Sequence, residues 1–197
     1  MRARWPAHLR HSRRGSCPVP LWSLVSPLRY DVVVRAQFFD MVAAAADPDS
    51  PEFATQAAAS PYGAWFRLIA VPRFQPQLVG DQSRIEAAFR ARVTSAVALW
   101  QAYEANGWDA QHPILLRRAV PGARTTTGQL VERPLYLADG CHRLALLLRA
   151  GHVYLQPDQY RVDSRRLRVV PDNTSVLMQA FDVAPEARAA FLAMSAG

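Results

Sequence analysis

Lysine is missing from this 197-residue chain: all 23 basic residues are arginine. A guanidinium is planar, always charged and suited to bidentate anion contacts. An all-arginine set nevertheless reads first as a high-GC coding bias, so no single arginine marks a site by itself. Cysteine is scarce too. Cys17 and Cys141 are too few for a disulfide framework, and neither has a CxxC or histidine partner at zinc spacing, which excludes a zinc-finger scaffold and points to a reducing, cytoplasmic setting. Long apolar runs are lacking as well. Residues 42–46 and 144–148 are among the longest, far below the roughly 18 needed to span a bilayer, so no membrane partner is expected. The N-terminus has charge without the apolar stretch of roughly 7 to 15 residues that a secretory signal requires.

What is present is ordinary globular material. Half the residues are hydrophobic and a fifth are charged, which excludes wholesale disorder and supplies a core. The formal net charge is +7, but Arg2, Arg4, Arg10, Arg13 and Arg14 fall within the first sixteen residues with no acid among them, leaving +2 for the rest. Residues 1–17 are therefore expected to be a disordered basic arm, able to touch nucleic-acid phosphates weakly and without sequence preference. The body is nearly neutral.

Turn residues divide the body into segments. Pro18, Pro20 and Pro27 predict an extended stretch up to Leu28. Helices are expected over 30–46 and 52–59, each closed by proline-rich turns, followed by a buried strand from Trp65 to Val71. Asp81 is placed to cap a long helix whose apolar face comprises Ile85, Phe89, Val93, Ala96, Val97, Trp100 and Tyr103, with Asn106-Gly107 ending it. A strand from Ile114 to Val120 and another from Pro134 to Ala138 suggest a hairpin with an exposed tip at 122–128. A helix from Cys141 to Ala150, short strands at 152–155, 160–162 and 169–170, and helices near 175–181 and 186–194 complete the chain. The strands and helices lack the regular alternation of a doubly wound sheet. The fold expected is α+β (mixed α/β): a small mixed sheet with flanking helices and helical additions at both ends, divided as an extension at 18–64, a central domain at 65–170 and a tail at 171–197.

One segment carries chemistry. A strand runs through Leu137 and Ala138 into Asp139-Gly140 and directly into the helix opened by Cys141-His142-Arg143. The first-turn amides of such a helix lack partners, the helix dipole adds partial positive charge, and glycine allows close backbone approach, so the turn is a seat for phosphate. The plainer reading has Asp139 as a cap, Cys141 and His142 as packing groups and Arg143 as solvated. His112 and His152, without partners at metal spacing, read as structural residues, and Trp65, Trp100 and Trp108 as core or core-edge groups.

The run from Gln111 to Arg161, with His112-Pro113-Ile114-Leu115-Leu116, Asp139-Gly140-Cys141-His142-Arg143 and the helix stop at Ala150-Gly151, resembles the ParB/sulfiredoxin superfamily. The resemblance implies nucleotide binding, with the phosphates of ATP, ADP or CTP held at Gly140, Cys141, His142 and Arg143. Three activities follow from it. A phosphotransferase acting on a small hydroxylated metabolite would use Asp139 for Mg²⁺ or to orient the acceptor, His142 and Arg143 on the transferring phosphate, and a second carboxylate, Glu86 or Asp81, as base. A sulfiredoxin-like reductase would use Cys141, at a helix N-terminus where thiolates gain reactivity; Asp139 stands where sulfiredoxins have glycine, and their Arg-Pro-x-Pro-Ser run has no good counterpart. A non-catalytic, nucleotide-responsive module would bind DNA or a protein, although only 34 residues follow Asp163, too few for the DNA-binding and dimerisation parts of a full partition protein. The phosphotransferase leads, and a homodimer is left open.

Overall fold

Proline, glycine and short polar caps set the element boundaries across residues 11–194, the part of the chain that the computed structural model describes. Strands β1 (Ser12–Arg14) and β2 (Val19–Pro20) lead into a short helix, α1 (Leu21–Val25), and then α2 (Tyr30–Ala44). Ser50 caps α3 (Pro51–Ala59) by accepting from the Phe53 N–H, with Pro51 in the first turn, and Ser60 does the same for α4 (Pro61–Trp65) through the Tyr62 N–H. The chain stays helical through a π-turn at Phe66–Ala70 into α5 (Val71–Phe74). Asp81 opens α6 (Gln82–Asn106), its carboxylate accepting from the Arg84 N–H, and Gly107 ends the helix at φ 71°. There follow β3 (Ile114–Thr125), β4 (Leu135–Asp139), α7 (Cys141–Arg149), β5 (Tyr154–Leu155), β6 (Tyr160–Val170), α8 (Thr174–Ala180) and α9 (Pro185–Ala193).

The fold is α+β. Among the described residues, a four-stranded mixed sheet has the order β1-β6-β3-β4, and β2 pairs with β5 in a small second sheet. β3 and β4 form the expected antiparallel pair, with Leu116 opposite Leu137. The chain then returns through α7 so that β6 lies parallel to β3, with Leu116 beside Val162. Leu144, Ala145, Leu146 and Leu147 of α7 are at most 2 % exposed and pack with Ile114 and Leu116 of β3, Val93 and Val97 of α6, and Phe38 and Phe39 of α2. This one cluster runs from Val19 to Phe191, so the N-terminal extension, the centre and the tail share a core.

Several local expectations are corrected. Residues 65–71 are helical, because Tyr62, Trp65, Phe66 and Ile69, all at most 8 % exposed, recur at i, i+3, i+4 and i+7; a short apolar run does not reveal its period until its neighbours are counted. Pro72 is no strand exit but sits in the first turn of α5, where a missing N–H costs little. The stretch expected to stay extended up to Leu28 contains α1, with the prolines flanking it. Strand candidates at 160–162 and 169–170 belong to one irregular strand, β6, whose register against β3 shifts twice. The basic arm is not disordered throughout. Ser12–Arg14 pairs antiparallel with β6, and the Gly15 N–H donates to the Tyr160 carbonyl at 3.2 Å; residues 1–10 lie outside the described residues. Among the described residues no helix is long and apolar enough to cross a membrane.

Candidate anion-binding site

The turn between β4 and α7 has the geometry that its sequence requires. Gly140 sits at φ 92°, and a Cβ there would lie 3.0 Å from Ile114 Cγ1 and 3.1 Å from its Cα. Only glycine fits both the left-handed backbone and that close approach to β3. Asp139 does not cap the helix. Its Oδ1 accepts from the Gly140 N–H at 2.7 Å, and α7 has no side-chain cap. The first intrahelical bond, from Leu144 N–H to the Gly140 carbonyl at 2.9 Å, leaves the amides of Cys141, His142 and Arg143 without intrahelical partners.

The three side chains that open α7 take different directions. Cys141 Sγ lies 2.9 Å from Arg29 Nη2. His142 Nε2 is hydrogen-bonded to Tyr62 Oη at 2.7 Å, and its ring sits edge-on to Phe39, Tyr62 and Trp65. Burial, followed by the nearby Arg35 and Arg92 guanidiniums, holds its pKa well below the usual histidine value, so the imidazole is neutral at physiological pH. Arg143 turns away from both and donates through Nη1 to the His112 carbonyl.

Cys141 and His142 face a cavity of about 440 Å³ whose lining includes five arginines, Arg29, Arg35, Arg73, Arg92 and Arg117, against two carboxylates, Asp31 and Asp139. Asp31 is fully buried and belongs to α2. Arg29 grips it with Nε at 2.8 Å and Nη2 at 2.9 Å, and Arg35 reaches it through Nη1 at 2.6 Å. Burial pushes the Asp31 carboxyl up, but the two guanidiniums and a hydrogen bond from Asn173 outweigh that and hold it far below the usual carboxylate range. Arg29 also donates from Nη1 to the Leu137 carbonyl at 3.0 Å, fastening the extension to β4. One carboxylate thus balances two buried cations.

The remaining positive charge is only partly spent. Arg35 is 4 % exposed, its Cζ lies 3.8 Å from the Trp65 ring centroid, and its Nε is buried without a partner, as is Trp65 Nε1. Arg117 is committed to Asp163 at 2.9 Å. Among the described residues, Arg73 and Arg92 meet no carboxylate within ion-pair distance. Burial, then the neighbouring Arg29, lowers the Arg73 pKa, with Asp31 and Cys141 acting the other way. A multiply charged anion matches this surplus.

The chain matches no family model, no curated protein and no solved structure.

Of the residues singled out in the sequence, the structure brings Asp139, Cys141 and His142 to the lining of this cavity, with Gly140 in the turn between them. It does not bring Glu86, Asp81 or Arg143 there. Glu86 lies on the exposed face of α6, where it accepts from Gln82 Nε2 at 2.8 Å, and lines a separate cavity with Pro51 and Phe89. Asp81 is spent as the α6 cap. Arg143 lines a different cavity, with Tyr103, Trp108 and Leu146. Among the described residues no group of three or more His, Cys, Asp or Glu side chains is placed to hold a metal ion, so Asp139 stands alone as a candidate Mg²⁺ ligand. Sequence reading missed Arg29, Arg35, Arg73, Arg92 and Arg117. One signal was available: Arg35 stands at i+4 from Asp31 between the apolar residues Val32–Val34 and Phe38–Phe39, and a charge on the buried face of a helix needs a reason.

Proposed function

We propose that this protein binds a nucleotide by its phosphates in the arginine-lined pocket at the N-terminus of α7, the turn at which its resemblance to the ParB/sulfiredoxin superfamily implies phosphate binding, but without the Arg143 contact that the resemblance also implies. One observation carries the reading: half-buried Arg92 and exposed Arg73, neither with a carboxylate at ion-pair distance among the described residues, line the same cavity as the buried and incompletely bonded Arg35, beside the open first turn of α7. A partly buried cation without a counter-ion is costly, and an anionic ligand removes that cost. Phosphoryl transfer from ATP or ADP to a small hydroxylated acceptor is the catalytic form of this reading. Asp139 is exposed beside the cavity and is the carboxylate available to hold Mg²⁺ or orient the acceptor, while neutral His142 donates or accepts a hydrogen bond without adding charge. A non-catalytic, nucleotide-responsive module is favoured because Glu86 lines a separate cavity and the second carboxylate in the pocket, Asp31, is held by Arg29 and Arg35, which leaves no free carboxylate for a base. A sulfiredoxin-like use of Cys141 draws support from the Arg29 donor at its sulfur and none from any further motif.

Calorimetric titration with ATP, ADP and CTP in the presence of Mg²⁺ tests the reading. Arg73→Ala and Arg92→Ala are each expected to weaken binding by about 10-fold or more, as loss of a charge-assisted contact does, with little change in thermal stability. Absence of binding to all three nucleotides overturns the proposal. Phosphorus NMR with a pool of hydroxylated metabolites then separates turnover from occupancy.

A further inference from the structure

The arginine pocket is polar at its floor and apolar at its mouth. At the floor, Asp31, Arg35 and Trp65 are 0, 4 and 3 % exposed, whereas Phe74 and Val169, which line the same cavity, are 64 and 55 % exposed. A lone exposed apolar side chain is common on protein surfaces and signifies nothing. Here two large ones border one cation-rich cavity, and a site for inorganic phosphate alone would gain nothing from them. Phe74 closes the four-residue helix α5, and the Arg73 guanidinium lies over its ring at 5.1 Å from the centroid. A cation on one face leaves the other face of the ring open to a second planar group.

We infer that Phe74, backed by Val169, is the platform on which the base of the bound nucleotide stacks, while its phosphates reach inward to Arg92, Arg35 and the first turn of α7. This rests on the phosphate reading above and adds the class of ligand: an anionic head joined to a flat aromatic group, with stacking rather than hydrogen bonding recognising the base. Stacking is tolerant of base identity because every base offers a π-face, so discrimination among purine nucleotides is expected to be shallow.

The test uses the full chain and two probes, ADP with Mg²⁺ and inorganic pyrophosphate with Mg²⁺, titrated against the unaltered protein, Phe74→Ala, Phe74→Trp and Arg92→Ala. Phe74 is largely exposed, so its replacement is expected to leave the thermal unfolding curve in place. Phe74→Ala is expected to weaken ADP by about 10-fold, the size of one base–aromatic stack, and to leave pyrophosphate within about two-fold; Phe74→Trp is expected to restore ADP. Equal effects of Phe74→Ala on the two probes, or no effect on ADP, overturn the stacking platform while the phosphate seat stands, provided Arg92→Ala weakens both. If the unaltered protein binds neither probe, the phosphate reading fails, and the platform with it.

Discussion

Two cavities lie on either side of the first turn of α7, and they differ in kind. The one facing Cys141 and His142 measures about 440 Å³ and holds five arginines. The one facing Arg143 is larger, about 770 Å³, and is lined by Leu99, Tyr103, Trp108 and Leu146 with Arg143 as its one arginine. That guanidinium already donates to the His112 carbonyl, and the nearby Asp109 carboxylate is engaged by His112 at 2.6 Å. The smaller cavity has cations left over; in the larger, Arg143, His112 and Asp109 have found partners within the protein, and the unpartnered donor there, the buried Trp108 Nε1, is neutral. On the proposed reading, anion binding follows unspent cations and not volume, and adjacent residues of one motif serve different surroundings.

The sharpest way to break this comparison is to remove the counter-charge that organises the arginine side. Asp31→Ala leaves Arg29 and Arg35 buried without a carboxylate and is expected to cost about 3–5 kcal/mol of folding stability, read by chemical denaturation; a loss below about 1 kcal/mol would show that the cluster does not hold α2 in place. The same charges set the response to acid. Burial raises the Asp163 carboxyl, but hydrogen bonds from Arg165 and Arg117 bring it down to about 2, and Asp31 is held lower still. Both carboxyls titrate below their unfolded values of about 4, so their stabilisation is complete above about pH 4 and is lost as pH falls through the folded values, for Asp163 between about 4 and 2. Acid unfolding followed by circular dichroism is expected to fall in that range, and unfolding centred near neutral pH would contradict it.

Gly140→Ala addresses the turn that divides the two cavities. The left-handed backbone and the contact with Ile114 are together expected to cost about 1–3 kcal/mol, measured by thermal melting, with weaker nucleotide binding because the first-turn amides shift. The smallest expected effect separates the two sides most cleanly. Arg143→Ala, on the larger cavity, is expected to leave ADP affinity within about two-fold, unlike Arg92→Ala. A loss as large as that of Arg92→Ala would move the phosphate seat to the other side of α7.

Much of the scaffold around the site was legible in sequence. The cap at Asp81, the helix end at Gly107 and the Asp139-Gly140 turn are local signals, each set by residues within four or five positions of one another, and the β3–β4 pairing was expected from two strand-like runs flanking a polar connection. The strand expected at 65–71 failed because β-branched and aromatic residues suit either element, and the choice was made by which side chains found the core against α2 and α6. Arg29, Arg35, Arg73, Arg92 and Arg117 were invisible as a group. In a chain whose basic residues are all arginine, no one of them stands out, and they come from segments up to 88 positions apart.

By itself the sequence determined an α+β body, a glycine-bearing strand-to-helix turn with open amides, and a thiol and an imidazole beside it, because short-range sterics and hydrogen bonding leave few alternatives for those residues. Tertiary structure decided which charges meet there. Packing α2 and α6 against α7 buries Asp31 between two arginines, brings Arg73 and Arg92 to the same cavity and sends Arg143 to another, and such long-range balances of charge and burial exist only once the core has closed.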